Sequence, residues 1–285
     1  AYEILLCDWS SECALPISTL IGLLFGLIAL IGGFLLEGGT VGSLFQLAAF
    51  VIVVGGTMAA VIISYPFSEL KRVPGLTLAA FREPKINMLG IIQYLVEMAT
   101  VARREGVLAL ETRLEDDTTI DPMLKEGLQL VIDGSDPELI KDMMEIELEF
   151  FEKKNETGAK MFETAGGFSP TMGIIGTVMG LIHVLGNLSD PDTLGPAIAM
   201  AFIATLYGVA AANVIYIPIA NKLRYRNQQL VTAREMMMEG IMSIQAGENP
   251  KMLEKKLLAF LTPEERERLE QLQTQQGGVA YEETA

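Results

Sequence analysis

Apolar residues along this chain are gathered into four runs, Ile17–Leu36, Leu44–Tyr65, Phe168–Leu188 and Leu194–Ala220, and no Lys, Arg, Asp or Glu lies inside any of them. An α-helix rises about 1.5 Å per residue, so a run of roughly 20 residues crosses a hydrocarbon core of about 30 Å. The runs come in two pairs. Glu37–Ser43, a Gly-rich turn, joins the first pair, and the polar link SDPDT joins the second; Pro66 closes the second run. The pattern predicts two transmembrane hairpins, 17–65 (spans 17–36 and 44–65) and 168–220 (spans 168–188 and 194–220).

Between the hairpins the pattern changes to that of water-exposed helices. Met88, Ile91, Ile92, Leu95, Ala99 and Ala102 follow the three-and-four spacing of an amphipathic helix. A further short helix is expected over Val107–Glu115, after Gly106. Asp121-Pro122 and Asp136-Pro137 each place a capping acid before a proline at the first helical position. From Pro137 a long helix is expected to run towards the third span, bent near Gly166–Gly167. After the fourth span Asn221–Gln245 reads as helix, and Thr262 with Glu265 forms a capping box. Strand alternation and solenoid repeats are lacking in the sequence. The fold class is therefore all-α: a polytopic membrane protein with four transmembrane helices and a helical cytoplasmic domain. The expected divisions are an N-terminal extension over 1–16 of unassigned role, hairpin one, a cytoplasmic domain over 66–167, hairpin two, C-terminal cytoplasmic helices over 221–270, and a polar tail over 271–285 that reads as disordered.

Charge sets the orientation. Lys71 is the first basic residue, and none occurs between Lys160 and Lys222, so both hairpin turns lack positive charge. The excess of Lys and Arg on cytoplasmic loops then places 66–167, the region after 220 and both termini in the cytoplasm. The net charge of -15 leaves no basic stripe to neutralise phosphates, which argues against nucleic acid. Cys7 and Cys13 form neither a metal-ligand pattern nor a disulfide framework. With one histidine, His183, no catalytic triad, phosphate loop or metal cluster can be assembled, and the chain does not read as an enzyme.

Candidate chemistry lies in the second hairpin. At 100° per residue Pro170, Gly173, Thr177 and Gly180 share one helix face, and Ala201, Thr205, Gly208 and Ala212 share another. Each face is small and carries one hydroxyl. Two readings are open: the faces line a gap filled by another helix and offer oxygens to a hydrated ion, or they simply pack, each hydroxyl bonding its own preceding turn. Pro170 and Pro218 sit near the cytoplasmic ends of their spans, as hinges or as plain helix-end prolines. Neither span of this hairpin holds a carboxylate. A protonation cycle would need an acid supplied by a partner.

The segment FSPTMGIIGTVMGLIHVLGNLSDPDTLGPAIAMAFIATLYGVAAANVIYIPIANKLR closely resembles the MotA/PomA stator subunits of the bacterial flagellar motor, in their Gram-positive-like form. TLIGLLFGLIALIGGFLLEGG, VIVVGGTMAAVIISYP and the cytoplasmic VARREGVLALE resemble the same family, so the likeness extends over about residues 17–265. The resemblance implies a plasma-membrane complex. Five copies surround two copies of a single-span partner, MotB or PomB, which carries the ion-binding aspartate. Ion flow turns the ring, and its cytoplasmic parts drive the rotor protein FliG. By motif it implies channel-lining roles for Thr177 and Thr205, conformational coupling for Pro170 and Pro218, and rotor contact for Arg103, Arg104 and Glu111. It implies no cofactor. The expected transported ion is the proton, with sodium the alternative, because hydroxyl oxygens suit either. A related proton-driven energiser of the ExbB/TolQ class, or a passive membrane scaffold, is the rival reading.

Overall fold

A computed structural model of the chain describes residues 17–81, 86–116, 120–186, 191–263 and 266. The 1–16 extension and the 271–285 tail lie outside these residues. Among the described residues every regular element is helical. The chain divides into two compact units, one of residues 1–84 with 154–226, the other of 85–153 with 227–285. The division falls inside two helices.

The first unit holds the apolar runs. Helix α1 is Ile17–Leu36. Gly38, at φ +85°, turns the chain in a conformation that glycine adopts without steric cost. A short 3₁₀ turn, Val41–Leu44, then leads into α2, Leu47–Phe50. The second run is helical but not uniformly α: a π-helical stretch, Val51–Gly55, separates α2 from α3, Gly56–Ser64. Tyr65 takes an extended conformation before Pro66, which ends the run. Two short helices follow, α4 (Phe67–Leu70) and α5 (Val73–Ala80).

In the second unit α6 is Met88–Glu105, capped by Asn87, whose side chain accepts from the Gly90 N–H. Gly106, at φ +91°, stops it. The 3₁₀ turn Val107–Ala109 leads to α7, Leu110–Asp116. Helix α8, Pro122–Ile132, begins as its Asp-Pro start foretells, with Asp121 Oδ1 accepting from the Met123 N–H at 2.9 Å. Helix α9 is a single 50-residue helix, Pro137–Gly186, containing Pro170. Helix α10 is Pro191–Ala210; a second π-helical stretch, Ala211–Tyr216, joins it to α11, Ile217–Gln245. Helix α12, Pro250–Leu257, is capped by Asn249.

Four helical segments are long and apolar enough to cross a membrane: Thr19–Leu36, Val41–Ser64, and stretches of Pro137–Gly186 and Ala197–Gln245. In the first unit many large apolar side chains are exposed, among them Phe25, Ile28, Phe50, Ile63, Ile182 and Phe202, as lipid-facing residues are. The second unit is built like a soluble helical domain. Its core gathers Leu95, Met98, Leu110, Met123, Leu128, Ile140, Met236, Ile241 and Leu253, all at most 2% exposed, from six helices. Gly127 and Gly240 allow this packing: a Cβ at either would meet a core side chain, Ile241 or Leu95, at under 3 Å.

The contact-defined units do not follow the 66 and 167 divisions read from hydropathy. Segments 66–84, 154–167 and 221–226 group with the apolar helices. Ala80, Ala159, Phe162, Ile219, Ala220 and Leu223 form one small buried cluster there.

Candidate functional site

Helices α9 and α10 meet through glycine and alanine. A Cβ on Gly173 would fall 2.8 Å from the Ala204 carbonyl oxygen, and one on Gly180 would fall 2.7 Å from the Ala201 Cβ. Gly176 is as tightly set against Ala204. In lipid, where the hydrophobic effect does not drive helices together, this close backbone approach supplies the dispersion that does. The two small faces of the sequence pattern therefore close directly on each other within one chain, and no gap for another helix separates them.

Four oxygens converge at that crossing. Thr177 Oγ1 lies 3.1 Å from both the Gly173 and the Ala201 carbonyl oxygens, and it is hydrogen-bonded to Thr205 Oγ1. Thr205 Oγ1 is 3.4 Å from the same Gly173 oxygen. Each hydroxyl has one proton and two lone pairs. If Thr177 donates to a carbonyl, it accepts from Thr205; if Thr205 turns to Gly173, Thr177 can donate to Thr205. The proton order can thus reverse without moving a heavy atom. Both threonines are half-buried, so one side of the cluster stays accessible.

One turn before Gly173 in α9, Ser169 is fully buried and its Oγ donates to the Gly208 carbonyl at 3.0 Å. A Cβ on Gly208 would fall 2.5 Å from the Ser169 oxygen and 3.2 Å from the Pro170 Cα. Pro170 has no N–H, so the Gly166 carbonyl loses its partner in the helix. Gly166 packs against Tyr216 and Ile217, the residues just before Pro218. At Pro218 the helix is prepared differently: the Ile217 N–H reaches back five residues to the Ala212 carbonyl, closing the π-helical stretch immediately before the proline.

Sequence reasoning missed two anchors. Tyr207 Oη donates to the Leu44 carbonyl and accepts from the Gln46 N–H at 3.3 Å, tying the turn after α1 to α10. Lys222 Nζ donates to Thr19 Oγ1. Both pair residues more than 150 positions apart, which no local spacing reveals. His183, in α9, is exposed.

Arg103 and Arg104 form the last turn of α6, and Glu111 the first turn of α7; all three are exposed. Cations at a helix C-terminus and an anion at an N-terminus each complement the helix dipole. The turn Val107–Ala109 between them holds the charges on one exposed corner of the second unit.

In the same unit, half-buried, Arg234 reaches Asp121 at 3.6 Å and Glu147 at 3.8 Å, with its guanidinium 3.7 Å from the Phe151 ring centroid. Burial pushes the Glu147 carboxyl above its ordinary range; Arg234 opposes the shift, and Glu126 and Asp121 add to it.

Residues 20–106 match the family described as motility protein A N-terminal, and residues 115–236 match the MotA/TolQ/ExbB proton channel family. With the four apolar segments, these matches define a class: a multi-span, all-helical ion-channel subunit of the bacterial inner membrane, which is not an enzyme class. The chain is 40% identical to motility protein A of Bacillus subtilis (strain 168) over 94% of its own length and 99% of that protein. It is 32% identical to the chemotaxis protein PomA of Vibrio alginolyticus, over 88% and 98%. It superimposes on a chain of the flagellar MotAB stator complex from Bacillus subtilis with a TM-score of 0.81 at 40% identity, covering 88% of this chain and 98% of that one. The chain belongs to the motility protein A family, as a stator ion-channel subunit of the flagellar motor. The match over 20–106, which is specific to motility protein A, separates it from the ExbB/TolQ reading.

Proposed function

We propose that the chain couples proton flow to torque as one of five copies around two single-span partners of the MotB/PomB type, with both its own termini in the cytoplasm. The observation that carries this reading is the four-oxygen cluster of Thr177, Thr205, Gly173 and Ala201, set in two helices whose apolar runs contain no carboxylate. Such a cluster can orient water or solvate a cation, but it cannot itself take and release a proton at neutral pH. A partner aspartate supplies the titrating group. Its protonation removes a charge from the pore wall, and the helices at Pro170 and Pro218, each lacking one backbone rung, take up the change. Arg103, Arg104 and Glu111 then pass motion to a charged surface of the rotor protein FliG. No cofactor takes part.

A potential of 100 mV is worth about 2.3 kcal/mol per elementary charge. Each ion therefore drives only a small step, in keeping with a rotating ring. The test is rotation in stator-deleted motile cells that express this chain with its cognate partner, with sodium present or replaced by potassium at fixed pH and membrane potential. Rotation without sodium supports protons; rotation only with sodium assigns sodium to the threonine cluster. No rotation in either medium, with insertion and complex formation verified, overturns the coupling reading.

A further inference from the structure

The chain is acidic overall, at -15, yet the segments 66–84, 154–167 and 221–226, which border its apolar runs, carry eight Lys and Arg against four Glu. All three segments belong to the first unit. Two ties there fix the end of the second span against α9. Tyr65 Oη and Thr164 Oγ1 are hydrogen-bonded at 2.8 Å, and the Arg72 guanidinium donates to the Lys154 carbonyl at 3.3 Å. Leu76 of α5 packs onto Gly158 of α9, where a Cβ would meet it at 2.9 Å. Lys71 and Lys160 flank these ties: Lys71 adjoins Arg72, and Lys160 stands one helical turn before Thr164.

The neighbouring cations are engaged. Arg72 pairs with Glu69, Arg224 with Glu156 and Glu163, Lys222 donates to Thr19 Oγ1, and Arg226 donates to the Ala79 carbonyl. Lys71 and Lys160 are exposed, and neither forms an ion pair with a described residue. Lys71 Nζ lies 5.2 Å from the centroid of the Phe67 ring. Phe67 is 71% exposed, and Ile63, in the last turn of α3, is 86% exposed. These apolar side chains continue the exposed surface of the second span past Pro66, and a cation stands over the last of them. That order, apolar and then basic, is the order of an acyl boundary and a headgroup layer.

We infer that Lys71 and Lys160 bind the headgroup of an anionic phospholipid whose acyl chains lie along Ile63 and Phe67. Both ammonium groups lack a carboxylate among the described residues, so a headgroup with net negative charge supplies one. A zwitterionic headgroup offsets its phosphate with its own ammonium and gains less. The site needs only that the chain sits in a bilayer, and it does not rest on the ion-coupling reading above.

The test uses the full chain with its cognate partner in phosphatidylcholine bilayers that contain a low, equal fraction of brominated phosphatidylglycerol or brominated phosphatidylcholine. Bromine quenches an indole that it touches. Trp9→Phe is made throughout, Phe67→Trp supplies the probe, and the emission of the same complex with Phe67 intact is subtracted. Phe45→Trp is the reference: Phe45 is 77% exposed at the other end of the second span, and no Lys or Arg precedes Lys71 in the chain. Quenching at 67 is expected to favour phosphatidylglycerol by at least about five-fold, the factor that one basic residue contributes near an anionic surface, and quenching at 45 to favour neither lipid. Lys71→Gln with Lys160→Gln should bring the ratio at 67 down to that at 45, whereas Lys71→Arg with Lys160→Arg should keep it. Equal ratios at 67 and 45 overturn the inference, and so does a preference at 67 that survives loss of both lysines. Quenching at 45 but by neither lipid at 67 overturns it as well, because the chain is then inserted and Phe67 is not in lipid.

Discussion

The Cβ that Gly208 lacks would lie 2.5 Å from the carbonyl oxygen of Ser169. The obstruction is backbone, which cannot swing aside as a side chain can. Gly208→Ala is therefore expected to force α9 and α10 apart, at an overpacking cost of about 1–3 kcal/mol. Gly167→Ala is the control: nothing lies within 4 Å of its would-be Cβ, and replacing a helical glycine gains up to about 1 kcal/mol. Thermal unfolding of the purified full chain in detergent should move down for the first variant and up or not at all for the second.

Ser169→Ala removes a buried hydrogen bond and leaves the Gly208 carbonyl without its side-chain donor. The expected loss is about 1 kcal/mol of stability. Ser169→Thr, which keeps the hydroxyl, should lose less if the added methyl fits.

Thr177→Val and Thr205→Val keep the shape of the crossing and delete one hydroxyl each. If the cluster serves the ion path, each variant should insert and assemble normally but conduct at least several-fold less, and Thr→Ser at either position should recover most of the flux. Equal flux in all four would reduce the threonines to packing residues.

Arg234 joins α11 to Asp121, before α8, and to Glu147 and Phe151 of α9. Arg234→Ala strands two acids beside a ring face, and a loss of about 1–2 kcal/mol is expected, between the exposed and the buried limits because the contacts are long and Glu147 is partly solvated. Glu147 also sets a pH dependence. Its carboxyl titrates higher in the folded chain than in the unfolded one, so the folded state binds more protons across that window and stability falls as pH rises through it. Glu147→Gln should accordingly narrow its stability deficit, or exceed the parent, near pH 7, and compare less well below the ordinary carboxyl range. Denaturant unfolding of both proteins at pH 4 and pH 7 measures the difference.

Much of the architecture was open to sequence reading because lipid imposes a simple rule. Charge-free runs of about twenty residues must be helices whose backbone groups pair internally. The Asp121 cap and the α6 face were equally legible, since both are local. The length of the helix from Pro137 to Gly186 was less so: it continues through Gly166–Gly167 and Pro170, and Gly166 lies against Tyr216 and Ile217, which no local spacing reveals. The π-helical stretches left no mark in composition. Of the candidate site, the sequence places Thr177 and Thr205 each on a small helix face but does not pair them; that bond, like the contacts of Ser169, Tyr207 and Arg234, depends on partners far along the chain.

The stretch Ala211–Tyr216 carries a consequence for how this family can change length. A π-helical turn holds one residue more than an α-turn, so losing a residue there would leave an unbroken α-helix instead of a broken one. Because the wide turn absorbs its extra residue locally, five residues there span nearly the arc and rise that four take in an α-helix, so the Thr205 face would keep nearly the register it now has with Pro218. Single-residue gaps among diverging relatives should therefore collect at this stretch more readily than elsewhere in the span, and without compensating changes on either side of it.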